Sequence, residues 1–489
     1  MARSRPVLRY RRLAAAALTL ALAGCKTVGP NFQPPAPPAT PSYQMQGDRD
    51  TPVAQLVADP TPAGAWWQAF GSPKLDQVMD QALAGNRTIA EADATLERAR
   101  QQALSAHGAQ LPQAAYSVGP LGERINTAAL GFSGFPSPTV FLYQVGGTVT
   151  YDADLFGGLR RGTEAASARA DAEARRADAA RLTLTGQAAL TAVQIATLRA
   201  QIAAVDAAVA DDQRLINLTR RAEEAGGQPR SAVNALMAQQ AADQTLLPPL
   251  QQQLAQARHM LALLVGRAPA DWAAPDFDLA DFRSPPTVPV SLPSTLVRRR
   301  PDILVAQSDL HAATAEIGVA TAALYPDIKI SANITQTAIA PGQLFSYGAS
   351  GWSLGAALTG PIFNGGRLKA NQRAAQAEAR AAAARYEQTV LTAFGQVSDV
   401  MQAIANDDAA LQALARTEAA QRQTLTDAET LFRLGGGPLF PVIDAERQLS
   451  MTRRNRAMTE GKRLADIAQL FVATAADWRT TPAAQATSP

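Results

Sequence analysis

Trp352-Ser-Leu-Gly-Ala-Ala-Leu-Thr-Gly-Pro-Ile-Phe363, then Asn364-Gly365-Gly366, then an alanine-rich run from Arg367 to Phe432: this stretch decides the fold. Its first part alternates in the period of a strand, and the Asn-Gly-Gly that follows is a turn. The run beyond has no proline before Pro438, and Tyr386, Val390, Phe394, Val397, Met401, Ile404, Leu411 and Leu414 recur at helical spacing. Arg367 to Phe432 is about 66 residues, so the helix would be roughly 100 Å long. An ordinary globular helix is only a few turns. A rod of this length needs neighbours of its own kind, and the rest of the chain supplies them.

The first 24 residues read as a signal peptide, with Arg3, Arg5, Arg9, Arg11 and Arg12 before a short apolar run from Leu13 to Ala23. The run is too short to span a bilayer. It ends in Leu22-Ala23-Gly24-Cys25, which resembles a bacterial lipobox; Cys25, the only cysteine, is then the lipidated first residue. A plain secretory signal with an incidental cysteine is the bland alternative. Lys26 in place of Asp favours release to the outer membrane. Removing those five arginines from the formal net charge of +3 leaves −2, so the basic pI implies no nucleic-acid surface. No other uninterrupted run of 18 apolar residues follows, so no transmembrane helix is expected. Residues 25–63, rich in Pro, Thr and Gln, read as a lipidated linker.

The remainder is doubled. Residues 86–112 align with residues 300–326 at an offset of 214: Ile89 meets Ile303, Leu96 meets Leu310, Pro112 meets Pro326. After the proline each copy turns to strand period. Repeat 1 (residues 64–285) has strands at about 112–124 and 139–156, a long helix at about 160–223 and a return helix at about 231–265. Repeat 2 (residues 286–475) has strands at about 326–338 and 350–363, a long helix at about 367–432 and a return helix at about 440–474. Residues 476–489 read as a flexible tail. Both long helices stop at glycine followed by proline: Gly226-Gly227-Gln-Pro229 and Gly435-Gly436-Gly437-Pro438.

In the second strand Phe141, Tyr143, Val145, Val149 and Tyr151 take one face. Gln144, Thr148, Thr150, Asp152 and Asp154 take the other, which would line a lumen. Such strands suit a membrane β-barrel; a hairpin with one face on a soluble core alternates in the same way. Four strands cannot close a barrel, and open edges are not tolerated in lipid. If these strands span a membrane, several chains must share the wall.

Several motifs resemble the TolC-like outer-membrane factors, specifically the NodT family of efflux lipoproteins. They are Cys25-Lys-Thr-Val-Gly29-Pro30-Asn-Phe32, Trp66-Trp67-Gln-Ala-Phe70, Tyr151-Asp-Ala-Asp154-Leu-Phe156-Gly157, Leu261-Ala-Leu-Leu264-Val-Gly266, and above all Leu296-Val-Arg298-Arg299-Arg300-Pro301-Asp302-Ile303 with Ile317-Gly318-Val-Ala320. Gln307 departs from the family's usual glutamate. The resemblance implies an α+β membrane channel: a homotrimer whose 12-stranded β-barrel continues into a 12-helix periplasmic α-barrel. It would be the exit channel of a tripartite efflux pump, working with a periplasmic adaptor and an inner-membrane pump of the resistance-nodulation-division type.

The same resemblance places a periplasmic iris gate just after the second glycine turn. Phe440 takes the hydrophobic constriction, Asp444 an acidic ring, and Arg447 the basic position one turn on. Three carboxylates on one symmetry axis repel each other and attract cations. Asp444 and Arg447 also stand at i and i+3, so a simple surface ion pair is the alternative. Pro441 replaces a second acidic ring, and Phe432, Gly437, Ala232 and Ser231 stand where relatives tie the tips with polar contacts. A mainly hydrophobic closure follows.

His107, His259 and His311 join no metal pattern, and no nucleophile elbow, phosphate loop or dinucleotide fingerprint occurs. Asp407-Asp408 reads as charge on an exposed helix face. Neither enzyme activity nor a cofactor beyond the lipid is expected. The competing class is a lipid-anchored coiled-coil spacer or adaptor without a pore, which would need no amphipathic strands. The transported substrate is not encoded in any motif.

Overall fold

The computed structural model describes residues 27–51, 54–57, 65–126, 128–131, 134 and 136–475. The signal segment, Cys25 and the tail 476–489 lie outside the described residues. In chain order the elements are β1 (Ala54–Val57), α1 (Pro73–Gly85), α2 (Arg87–Gly108), β2 (Gln113–Arg124), β3 (Thr139–Asp152), α3 (Gly158–Glu224), α4 (Arg230–Gln244), α5 (Leu247–Val265), β4 (Val288–Ser291), α6 (Pro293–Arg299), α7 (Pro301–Ala322), β5 (Asp327–Ala338), β6 (Ser350–Thr359), α8 (Arg367–Arg433) and α9 (Phe440–Ala473). The two long helices, α3 and α8, each contain 67 residues.

Two compact units divide the chain. The first holds the sheet β2-β3-β5-β6, antiparallel throughout. Residues directly opposite share a face, so the register assigns both surfaces. Tyr116, Gly147, Ile334 and Trp352 form one row, and Ala114, Val149, Ala332 and Leu354 the next. This face is apolar and bare: Tyr116 is 88% exposed and Trp352 82%. The opposite face carries Thr148, Asn333 and Ser353 in one row and Asp152 beside Lys329 in another. Each strand has 10 to 14 residues, long enough to cross a bilayer when tilted. The outer edges of β2 and β6 have no partner among the described residues.

Strand gives way to helix at glycines. Gly157 has φ +77, and Gly365 and Gly366 have φ +61 and +82, a region costly for a residue with a Cβ. Strand β6 ends at Thr359, short of the expected residue 363, because Gly360-Pro361 cannot continue a ladder. Also in this unit, the segment after Cys25 is tied down rather than loose. Val28 N–H donates to the Phe156 carbonyl at 3.0 Å, the buried Arg161 holds the carbonyls of Val28 and Gly29 and the side chain of Asn31, and Phe32 stacks on His311. A Cβ on Gly29 would lie 2.5 Å from Gly318 Cα, so backbone crosses backbone there.

The second unit is helical, with one small parallel pairing, β1 against β4, that alternation alone did not suggest. The return helix expected over residues 231–265 is two helices. The break falls at Thr245-Leu246, with proline in the first positions of α5, where its missing N–H costs nothing. Trp66, Trp67, Phe70, Phe277, Phe282 and Phe471 form an aromatic knot, with Trp66 stacked on Phe471 at 5.6 Å. Arg300 explains the Arg-Arg-Arg-Pro-Asp run. It is 9% exposed, donates to the last carbonyl of α9 (Ala473, 3.0 Å), and is clamped by Asp302 at 2.9 Å, so a cation meets the negative end of that helix. Helix α3 contains one 18-residue window apolar enough to cross a membrane, but half of it is buried inside the fold. Packing on α9, not lipid, uses that surface: Gly461 lets Thr197 approach where any Cβ would collide.

Truncating the knot removes large buried rings, so Phe70→Ala is expected to cost about 3–5 kcal/mol. Arg300→Ala strands the buried end of α9 and is expected to cost about 3 kcal/mol. Thermal melts of the purified protein check both; a shift no larger than that of a surface alanine would contradict the packing described.

Candidate functional site

The glycine turns of both repeats lie in the second unit, and they converge on one apolar cluster. Gly226 and Gly435 are left-handed, with φ +76 and +74. Gly227 N–H returns to the Ala222 carbonyl at 2.8 Å, and Gly436 N–H to that of Leu431 at 3.1 Å. Both are Schellman closures, which satisfy carbonyls that a helix end would otherwise leave bare. Next to them Leu215 and Ile216 of α3, Val233 and Leu236 of α4, and Leu439 and Val442 of α9 form a buried cluster. Ala232 and Phe432 pack on it, so both positions make apolar contacts here.

Phe440 opens α9 and is 74% exposed. One turn on, Arg447 donates to Asp444 at 2.7 Å, both side chains about half exposed. The three residues expected at a gate therefore share the first turns of one helix, immediately after the turn glycines.

Two of the other expected site residues separate. Asp152 ends β3 on its polar face, in register with Lys329. Asp154 is not a strand residue. It sits at the corner with φ +40, and its carboxylate accepts from the Leu159 and Arg160 amides at 3.1 and 3.0 Å. A carboxylate there satisfies free N–H groups and the positive end of α3. Alternation alone puts it on the polar face because that pattern runs two residues past Asp152, the last paired residue of β3.

The aspartate pair of α8 is also different from its expected exposed setting. Asp407 is 5% exposed and bonded to Lys462 at 2.7 Å, and Asp408 pairs with Arg463. Glu418, likewise buried, takes Arg422 and Arg456, both at 2.7 Å, and these arginines hold its carboxyl below the ordinary range. Ion pairs thus fasten α8 to α9.

Reading the turns alone also misses a set of acids. Asp212 on α3 and Glu446 on α9 are 3% and 8% exposed, and Asp212 Oδ2 and Glu446 Oε2 find no donor among the described residues. Asp212 lies against the carboxyl of Asp243 on α4; burial and that neighbour push it up to about 7. Burial, Asp212, Glu429 and Asp243 push Glu446 up to about 8, against Arg214. A cleft of about 280 Å³ opens beside Glu446, with Asp211, Arg214, Glu429 and Arg433 around it. A signal existed in the sequence. Asp212 falls in the buried stripe Val205, Ala208, Leu215, Thr219, and Glu446 in the stripe Val442, Leu449, Thr452. An acid in such a slot is rare unless partnered.

Among the described residues no group of His, Cys, Asp and Glu is arranged to hold a metal ion. What the geometry offers is a sheet with a bare apolar face in one unit and tight glycine turns on an apolar cluster in the other. The profile of the outer membrane efflux protein family matches residues 78–267 and 292–476. The chain belongs to that family. It is 29% identical over 474 residues to the pyoverdine export outer membrane protein OpmQ of Pseudomonas putida, covering 96% of this chain and 98% of that one. Nodulation protein T of Rhizobium leguminosarum bv. viciae is also 29% identical, over 94% of this chain and 92% of its own. Among solved structures, the outer-membrane channel OprN superposes with a TM-score of 0.83 at 26% identity, over 93% of this chain and 100% of that one. The protein is an outer-membrane efflux channel component, as its motifs had implied, and its place is the outer membrane.

Gly226→Ala and Gly435→Ala force a Cβ into the left-handed region and are each expected to cost about 1–2 kcal/mol. Gly227→Ala and Gly436→Ala, at the neighbouring positions, are expected to cost less than half as much. Hydrogen exchange of the turn amides separates the two pairs; equal losses at all four positions would contradict the turn geometry.

Proposed function

We propose that three copies of this chain close their sheets edge to edge into a 12-stranded barrel that continues into a periplasmic tunnel of 12 helices. The observation that carries this is the sheet of four strands, with a bare apolar face, a polar reverse and two unpaired edges. In hydrocarbon such a sheet must be closed, and one chain cannot close it. The homotrimer would serve as the exit duct for an inner-membrane pump of the resistance-nodulation-division type, joined by a periplasmic adaptor. Export by relatives of cargo such as pyoverdine supports small molecules as the class carried.

Cys25 would carry the lipid. Val28 is fixed at the corner where β3 ends, and three residues reach at most about 10 Å, so the acyl chains would enter the bilayer beside the sheet. Phe440 would form the constriction, with Asp444 as an acidic ring steadied by Arg447; their place after the second turn and the exposure of Phe440 support this. Asp152, facing the polar side, would line the lumen.

The purified protein is expected to run as a heat-modifiable trimer on gels and to conduct in planar bilayers. Asp444→Ala is expected to raise single-channel conductance by removing the ring, whereas a surface ion pair would leave it unchanged. Monomers without conductance would instead support a pore-free, lipid-anchored spacer.

A further inference from the structure

We propose that the carboxyls of Asp212, Asp243 and Glu446 form a proton-operated latch that holds α3, α4 and α9 together beside the glycine turns. Three helices each contribute one acid to this place, and two of the three are nine-tenths buried or more, each with an unpartnered oxygen. Asp212 and Asp243 are close enough to share a hydrogen bond, which two ionised carboxylates cannot make. A bound proton is what makes the contact attractive.

The charged groups facing the cluster do not replace that proton. On α3, Arg214 is paired with Asp211. On α4, Asp243 also accepts from Gln239 at 3.0 Å. On α8, Glu429 adds a further negative charge, while Arg433 is turned to the Glu429 carbonyl and the Thr430 hydroxyl. On α9, Glu446 follows Asp444, whose own charge is answered by Arg447. Acids outnumber the cations able to reach them, and the apolar cluster lies alongside.

The direction with pH follows from linkage. In the open or unfolded arrangement Asp212 and Glu446 titrate near 4, and in the packed one near 7 and 8. Between those values the packed form binds more protons, so its stability falls as pH rises and is lowest above about 8. Acid closes the latch; alkali loosens it. Glu446 and Val442 line the same cleft, and Val442 lies in the first turn of α9 with Phe440, so loosening would reach the proposed constriction.

The test is hydrogen exchange of the full-length trimer in detergent, with the intrinsic pH dependence of exchange divided out. Protection of residues 208–219 and 442–452 is expected to fall by about tenfold or more between pH 6 and pH 9, and to stay level in the double variant Asp212→Asn, Glu446→Gln. If the double variant does not form trimers, each single variant is expected to show a reduced fall. Asp206→Asn, which removes an exposed acid of α3 outside the cluster, is expected to behave as wild type. Wild-type protection that is flat with pH, or a fall of the same size in the amide variants, would overturn the latch. A second arm rests on the constriction reading: wild-type conductance should rise between pH 6 and pH 9, and the double variant should not. Loosening by exchange without any conductance change would uphold the latch and reject Phe440 as the constriction.

Discussion

The edge of a β-sheet is a row of backbone N–H and C=O groups without partners, and in hydrocarbon each costs several kcal/mol. Four strands with an apolar outer face and a polar inner face leave two such edges per chain. Much of the rest of the structure can be understood as what that constraint requires. Doubling supplies two hairpins from one gene product, and the register between β3 and β5 joins them into one continuous sheet. Helices α3 and α8 are matched at 67 residues, as staves of a common wall must be. Where α9 meets α3, Gly461 against Thr197 lets the two helices approach closely.

The helical end solves a different problem. Two long helices must stop together and reverse without fraying, and the left-handed glycines with their back-bonded amides do this locally. Tertiary contact then adds an apolar cluster drawn from both repeats. Against that background, burying Asp212 and Glu446 opposes stability. Acids at such positions are explained by a response to conditions better than by rigidity.

Much of the architecture was legible in the sequence because it rests on short-range rules. Period-two alternation marked all four membrane strands, the proline-free runs marked α3 and α8, and glycine before proline marked both stops. What stayed hidden depends on partners distant along the chain. Asp407 looked exposed because the residue that buries it, Lys462, belongs to another helix. Arg300 read as one of three similar arginines, and only the returning end of α9 distinguishes it. Asp154 was misplaced because alternation does not show where ladder bonds cease. The stretch after Cys25 read as a spacer because proline-rich composition says nothing about a helix waiting to receive it.

That received stretch bears on the order of assembly. Its seat is built from Phe156 and Arg161 of one repeat and Gly318 of the other. Residues 28–32 leave the ribosome early, yet their berth is unfinished until the polypeptide has been made through Gly318. Residues 28–32 are therefore among the last parts to settle, and a bulky side chain at Gly29 or Gly318 would leave that segment unmoored in an otherwise completed subunit.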